Sequence, residues 1–107
     1  MQLIDSHTHI YGEEFDEDRD EMLARATAAG VGQMILPNVD AASYPRVLDL
    51  CAAHPDRLFP TIGLHPTYVK EDYASQLNYM ERELSQRPHV AIGEIGLDYY
   101  WDTTYQR

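Results

Sequence analysis

Four short apolar runs recur along the chain, Leu3 to Ser6, Gln33 to Pro37, Leu58 to Gly63 and Val90 to Gly93, each with a turn signal nearby. They predict strands. Between the first and second, Phe15, Met22, Leu23 and Ala26 fall at helical spacing, and Gly30 stands where a left-handed cap closes a helix. Between the second and third, Val47, Leu48 and Cys51 repeat the helical pattern. Pro45 fits near its first turn, and His54-Pro55 ends it. Between the third and fourth, Tyr73, Leu77, Met80 and Leu84 form the clearest stripe, with a helix end expected before Pro88.

The predicted order is βαβαβαβ, and crossover helices of this kind require parallel neighbouring strands with both sheet faces covered. Strand starts recur every 25 to 32 residues, which suits barrel units of roughly 250/8 residues each. Gly30 to Gly32 precedes a strand instead of opening a helix, which argues against a dinucleotide-binding sheet. The expected fold is an α/β partial (β/α)8 barrel, its first four strands and three helices. No linker or low-complexity stretch divides the chain. Residues 1–107 are therefore read as the N-terminal part of one barrel domain, with the second half absent.

Composition narrows the function. A chain of 107 residues, 44% of them hydrophobic, suits one domain. No apolar run approaches the roughly 20 residues needed to cross a bilayer. Met1 to Asp5 lacks the basic start and apolar stretch of a signal peptide, so the expected compartment is the cytosol. Cys51 has no disulfide partner and falls on the apolar side of a helix, as a small core residue does. Eight basic against eighteen acidic side chains give a net charge of −10. Such a surface repels a polyanion unless cations or a local basic groove intervene, and a nucleic acid substrate is expected to be held by metal ions. The acidic residues from Glu13 to Glu21 suit a helix start and are set aside.

Candidate chemistry gathers at strand ends. His7 and His9 follow the first strand, and a spacing of two puts both imidazoles on one side of an extended chain, where they can share a metal. They lie at the C-terminal end of a barrel strand, where barrel enzymes carry catalytic groups. Asp5 shares their parity, as a carboxylate orienting an imidazole or as a turn partner. Glu94 stands between Gly93 and Gly96 at the end of strand four. A carboxylate there is costly to bury unpaired and, as a hard oxygen ligand, can bridge two metal ions. His65 leaves strand three at the same end and can face a substrate phosphate or a water at the metal. Asp98 suits a loop cap as well as a catalytic role. Tyr99, Tyr100 and Trp101 suit packing as well as stacking on a base. His54 and His89 lie at a helix end and at the far end of the barrel, and read as structural.

Three ordered motifs resemble the TatD family of metal-dependent deoxyribonucleases. Leu3 to His9 is similar to its opening Asp-Ser/Thr-His-x-His, Gly63 to Pro66 to its Gly-x-His-Pro, and Gly93 to Tyr99 to its Gly-Glu-x-Gly-Leu-Asp-Tyr. The resemblance implies a metal-dependent hydrolase, a nuclease cleaving DNA phosphodiester bonds with two divalent metal ions. In it His7, His9 and Glu94 are metal ligands, Glu94 and His65 carry the catalysis, and Glu94 bridges the ions. It also implies that further ligands, two histidines and an aspartate on later strands, have no counterpart in these residues. The 107 residues are then expected to be inactive by themselves, to bind metal weakly and to self-associate through open sheet edges. Tyr11 departs from an acidic residue often found after the His-x-His; as that position is not expected to ligate, it receives no role. An amidohydrolase-type ester or amide hydrolase, or a non-catalytic barrel fragment, fits the same His-x-His and Glu.

Overall fold

The computed structural model describes residues 1–101 and residue 104. Four parallel strands lie in the order β1-β2-β3-β4, namely β1 (Leu3–Asp5), β2 (Val31–Leu36), β3 (Leu58–Ile62) and β4 (Ala91–Ile92). A doubly wound sheet reverses direction after its first strands. This strictly sequential order is that of consecutive barrel units, and the sheet curls as a half-barrel with its helices on one side.

Helix α1 (Arg19–Ala28) is preceded by a 3-10 turn at Glu13–Phe15, so Phe15 stands outside the helix its spacing suggested. Asp20 and Glu21 occupy the first turn of α1, where the helix dipole favours acid. Ala29 caps the helix, and Gly30, at φ +96, turns the chain straight into β2. The left-handed turn lets β2 begin at Val31, two residues earlier than the apolar run suggested. Helix α2 (Tyr44–Ala53) carries Pro45 in its first turn and ends on His54 as C-cap. Helix α3 runs Tyr73–Gln86.

Alternation sets the two faces of the sheet. Met34 and Leu36 of β2 and Leu58 of β3 pack outward with Leu23 of α1 and Val47 and Cys51 of α2 in one buried cluster. Ile62 of β3 joins Tyr44, Leu64 and Met80 of α3 in a second. All three helices therefore share the outer side. The stripe on α3 predicts a helix correctly but not its burial. Met80 is buried, whereas Tyr73, Leu77 and Leu84 are exposed, because β4 offers the helix only two residues. No helix of the described residues is long and apolar enough to cross a membrane.

The loop from Ile10 to Asp18 is tied down by arginines. Arg19 donates to the carbonyls of Ile10, Tyr11 and Gly12, and Arg46 of α2 donates to Tyr11 O. Asp16 receives both guanidinium groups, which hold its carboxyl below the usual range.

Candidate metal centre

β1 ends where the Asp5 carboxylate accepts the His7 backbone N–H at 3.0 Å, so Asp5 serves the turn and no imidazole. Beyond it the chain stays beside β2, because Thr8 N–H reaches Ile35 O at 3.2 Å. The two imidazoles flanking Thr8 come together with their Nε2 atoms 3.2 Å apart.

Glu94 arrives from the other edge of the sheet, and glycine makes this possible. A Cβ at Gly63 would stand 2.7 Å from Gly93 C and 2.9 Å from the carbonyl oxygens of Gly93 and Glu94, all backbone atoms with nowhere to go. Only a bare Cα lets the ends of β3 and β4 approach so closely. Asn38, fully buried after β2, stitches the same place. Its N–H donates to Gly93 O, its carbonyl accepts Glu94 N–H at 2.8 Å, and its Nδ2 donates to Gly63 O. Ser43 Oγ donates to Asn38 Oδ1 at 2.9 Å, completing the amide's partners. Thr61 Oγ1 shares its hydrogen between Gly93 O and Leu36 O.

The result is a group of three potential ligands, His7, His9 and Glu94, whose donor atoms all lie within 4.8 Å of one another. Glu94 Oε2 is 3.2 Å from His7 Nε2 and 3.3 Å from His9 Nε2. Those distances suit an ion pair, yet neither contact has hydrogen-bond geometry, and Oε2 is a buried oxygen with no hydrogen-bond partner. A buried carboxylate oxygen is costly to leave unpaired. A cation between Oε2 and the two imidazoles removes that cost, so the donor set fits a divalent metal. Burial, followed by the neighbouring His7, holds the His9 imidazole below its ordinary value, which keeps it neutral and able to ligate.

His65 reaches the same place from the end of β3, its N–H on Val39 O, and its Nε2 lies 3.1 Å from Glu94 Oε1. The Thr67 backbone N–H donates to His65 Nδ1 at 3.1 Å, so in the neutral ring the hydrogen sits on Nε2 and faces the carboxylate. His65 is placed as a donor beside the group of three. A cleft of about 640 Å³ opens next to His9 and His65, with Tyr11, Ser43, Arg46 and Tyr68 among its walls.

The remaining candidates fall outside. Asp98 accepts the backbone N–H groups of Tyr100 and Trp101 and so caps its loop. Tyr99, Tyr100 and Trp101 are all exposed and line none of the cleft beside His9. His89 accepts Tyr44 O–H at 2.5 Å behind the sheet, and Cys51 is buried in the core. Sequence reasoning missed Asn38 and Tyr11. Asn38 had one readable signal, its place just after the Pro37 that closes a strand. Tyr11 had none, because its role depends on a carbonyl 26 residues away.

Comparison with known proteins gives this geometry a context. A profile of the TatD related DNase family matches residues 4–107. The chain is 38% identical over 103 residues to the uncharacterized metal-dependent hydrolase YjjV of Escherichia coli (strain K12), covering 94% of this chain and 39% of that protein. It is 34% identical over 98 residues to the 3'-5' ssDNA/RNA exonuclease TatD of Erwinia tasmaniensis, covering 91% of this chain and 38% of that one. The crystal structure of YjjV superposes with a TM-score of 0.85 at 37% identity, over 94% of this chain and 39% of that one. The chain thus spans about two fifths of the length of these relatives.

Proposed function

The chain belongs to the TatD related DNase family, and from that premise we propose that His7, His9 and Glu94 hold divalent metal in a hydrolase that cleaves DNA phosphodiester bonds. One observation carries the reading: the buried Oε2 of Glu94, without a hydrogen-bond partner, lies 3.2 and 3.3 Å from two imidazole nitrogens. The names of the relatives support the substrate class, since one is a single-stranded DNA and RNA exonuclease and the other a metal-dependent hydrolase.

Divalent metal at this place supplies Lewis-acid polarisation of the phosphoryl group and lowers the pKa of an attacking water. The protein groups do the rest. His7 and His9 would hold the metal through imidazole nitrogens from one strand end, and Glu94 through a hard carboxylate oxygen from another. His65, its Nε2 hydrogen toward Glu94 Oε1, fixes the carboxylate's rotation and stands at the cleft wall where a phosphate oxygen would lie. With a net charge of −10, attraction for DNA comes from the ions and not from the protein surface.

Residues 1–107 provide the first four strands and three helices of one barrel domain, which we place in the cytosol, where one unpaired cysteine is at home. Three donors make an incomplete two-ion site, so the chain by itself binds metal weakly and cleaves little. The test takes the 107 residues joined to the remaining barrel units and offers defined single-stranded DNA beside aminoacyl and cyclic-amide substrates. Ion-dependent DNA cleavage, abolished in Glu94→Ala, supports the reading. Hydrolysis of amides with DNA untouched overturns it in favour of an amidohydrolase.

A further inference from the structure

We propose that Tyr11 is a positioning residue for the metal centre, fixing His9 as the Nδ1–H tautomer so that the Nε2 lone pair points at Glu94 and His7. The inference rests on the metal-centre reading above and concerns how this chain builds it. Tyr11 is buried, 4% exposed, with its phenol oxygen 2.5 Å from Pro37 O and 3.0 Å from His9 Nδ1. A carbonyl oxygen only accepts, and two oxygens at 2.5 Å repel unless a hydrogen lies between them. The single phenol hydrogen is therefore committed to Pro37 O.

The consequence for His9 is forced. The phenol oxygen has only a lone pair left for the imidazole, so the hydrogen of that contact belongs to His9 Nδ1. In a neutral ring Nε2 is then bare. That nitrogen lies 3.3 Å from Glu94 Oε2 and 3.2 Å from His7 Nε2, the direction in which a ligand must point. His65 carries the opposite arrangement, with Nδ1 accepting from Thr67 and the hydrogen on Nε2. One histidine of the cluster is thus set as a ligand and one as a donor, by hydrogen bonds made on the far side of each ring. His7 has no such partner at Nδ1 among the described residues, so Tyr11 is the device that orders the His-x-His pair. Its own place is held from behind: Arg46 Nε and Arg19 Nη2 donate to Tyr11 O at 2.9 and 3.2 Å.

The experiment is long-range ¹H–¹⁵N correlation of the histidine rings in the ¹⁵N-labelled chain, without metal and at a pH where the imidazoles are neutral. Signals of His9 are identified from their loss in His9→Asn. The expected spectrum has His9 Nδ1 protonated and Nε2 bare, and in Tyr11→Phe it moves toward Nε2–H. A wild-type spectrum with hydrogen on Nε2, or an unchanged tautomer in Tyr11→Phe, overturns the proposal. The wild-type result needs no variant to fold. Titration with Zn²⁺ alone completes the test, with affinity falling ~10- to 100-fold in Tyr11→Phe, the usual cost of losing an orienting partner. Equal Zn²⁺ affinity in both chains overturns the positioning role. The predicted tautomer and its shift in Tyr11→Phe, together with no Zn²⁺ binding by wild type, uphold the tautomer assignment and sink the metal-centre reading instead.

Discussion

Glu94 is where residue chemistry matters most, and its replacement separates ligand from filler. Glu94→Gln keeps the volume and the contact with His65 but removes the charge that a cation would meet at Oε2. Zn²⁺ affinity of the chain is expected to fall at least as far as the ~10- to 100-fold lost with an orienting partner, while the unfolding midpoint holds or rises, since an unpaired buried charge is gone. A calorimetric titration beside a urea melt checks both. Cys51 behaves in the opposite way. Burial pushes its thiol up to about 12, so at neutral pH it stays a protonated core group. Alkylation by iodoacetamide is expected only as fast as the chain unfolds, rising steeply across the urea transition. Rapid labelling without denaturant would contradict the core reading. The histidine and glutamate candidates were legible from residue type and position after a strand. Tyr11 was not, because a phenol acquires its role only from what stands on either side of its oxygen.

Among the elements, the crossing of β3 and β4 at Gly63 decides whether Glu94 reaches the histidines. Gly63→Ala drives a methyl into backbone atoms of Gly93 and Glu94 that cannot rotate away. It is expected to cost ~1–3 kcal/mol, as overpacking does, and to weaken Zn²⁺ binding as well. Gly12→Ala is the control. The atoms nearest its methyl belong to the Glu14 carboxylate, the free end of an exposed side chain, and stability should stay within about 0.5 kcal/mol. A second contact, from Tyr44 at the start of α2 to His89 just before β4, makes stability depend on pH. His89 Nδ1 faces Arg87 O, and Nε2 accepts from Tyr44, so the folded ring is neutral. Burial lowers its pKa below the ordinary 6.5. The unfolded chain then binds this proton more tightly than the folded one. The contribution is complete above pH 6.5 and is lost as the pH falls through the lowered value. Urea midpoints measured above and below that window should drop further in wild type than in His89→Gln, and an equal drop would remove His89 from the account. Helix and strand positions were readable from periodicity, but the exposure of Leu77 and Leu84 was not, because a stripe says which face is apolar and not what covers it.

Taken whole, the molecule presents apolar surface on more than one side. Ile4 of β1, Ile92 of β4, and Ile95 and Leu97 beyond it are all more than half exposed, and among the described residues β1 and β4 each pair with one neighbour only. Unpaired strand edges invite another strand, and a charge of −10 opposes association without satisfying a ladder. We propose that the chain forms a discrete dimer through such an edge. Light scattering is expected to give twice the chain mass, and more readily as salt screens the repulsion. A monodisperse monomer at all salt concentrations would overturn this.

Local patterning by itself determined the order of elements, the parallel sheet and the strand ends that carry His7, His9, His65 and Glu94, because periodicity and turn chemistry act over a few residues and need no partner. Tertiary structure alone decided that three histidines from two strand ends meet at the carboxylate of Glu94 from a third, that Gly63 and Asn38 hold the ends of β2, β3 and β4 together, and which nitrogen of His9 bears its hydrogen. Each of these depends on at least one contact across the sheet between residues 25 or more apart in the chain, as in the Asn38 to Gly63 bond and, behind His9, the Tyr11 to Pro37 bond. A hydrogen-bond direction is settled only when both partners are in place.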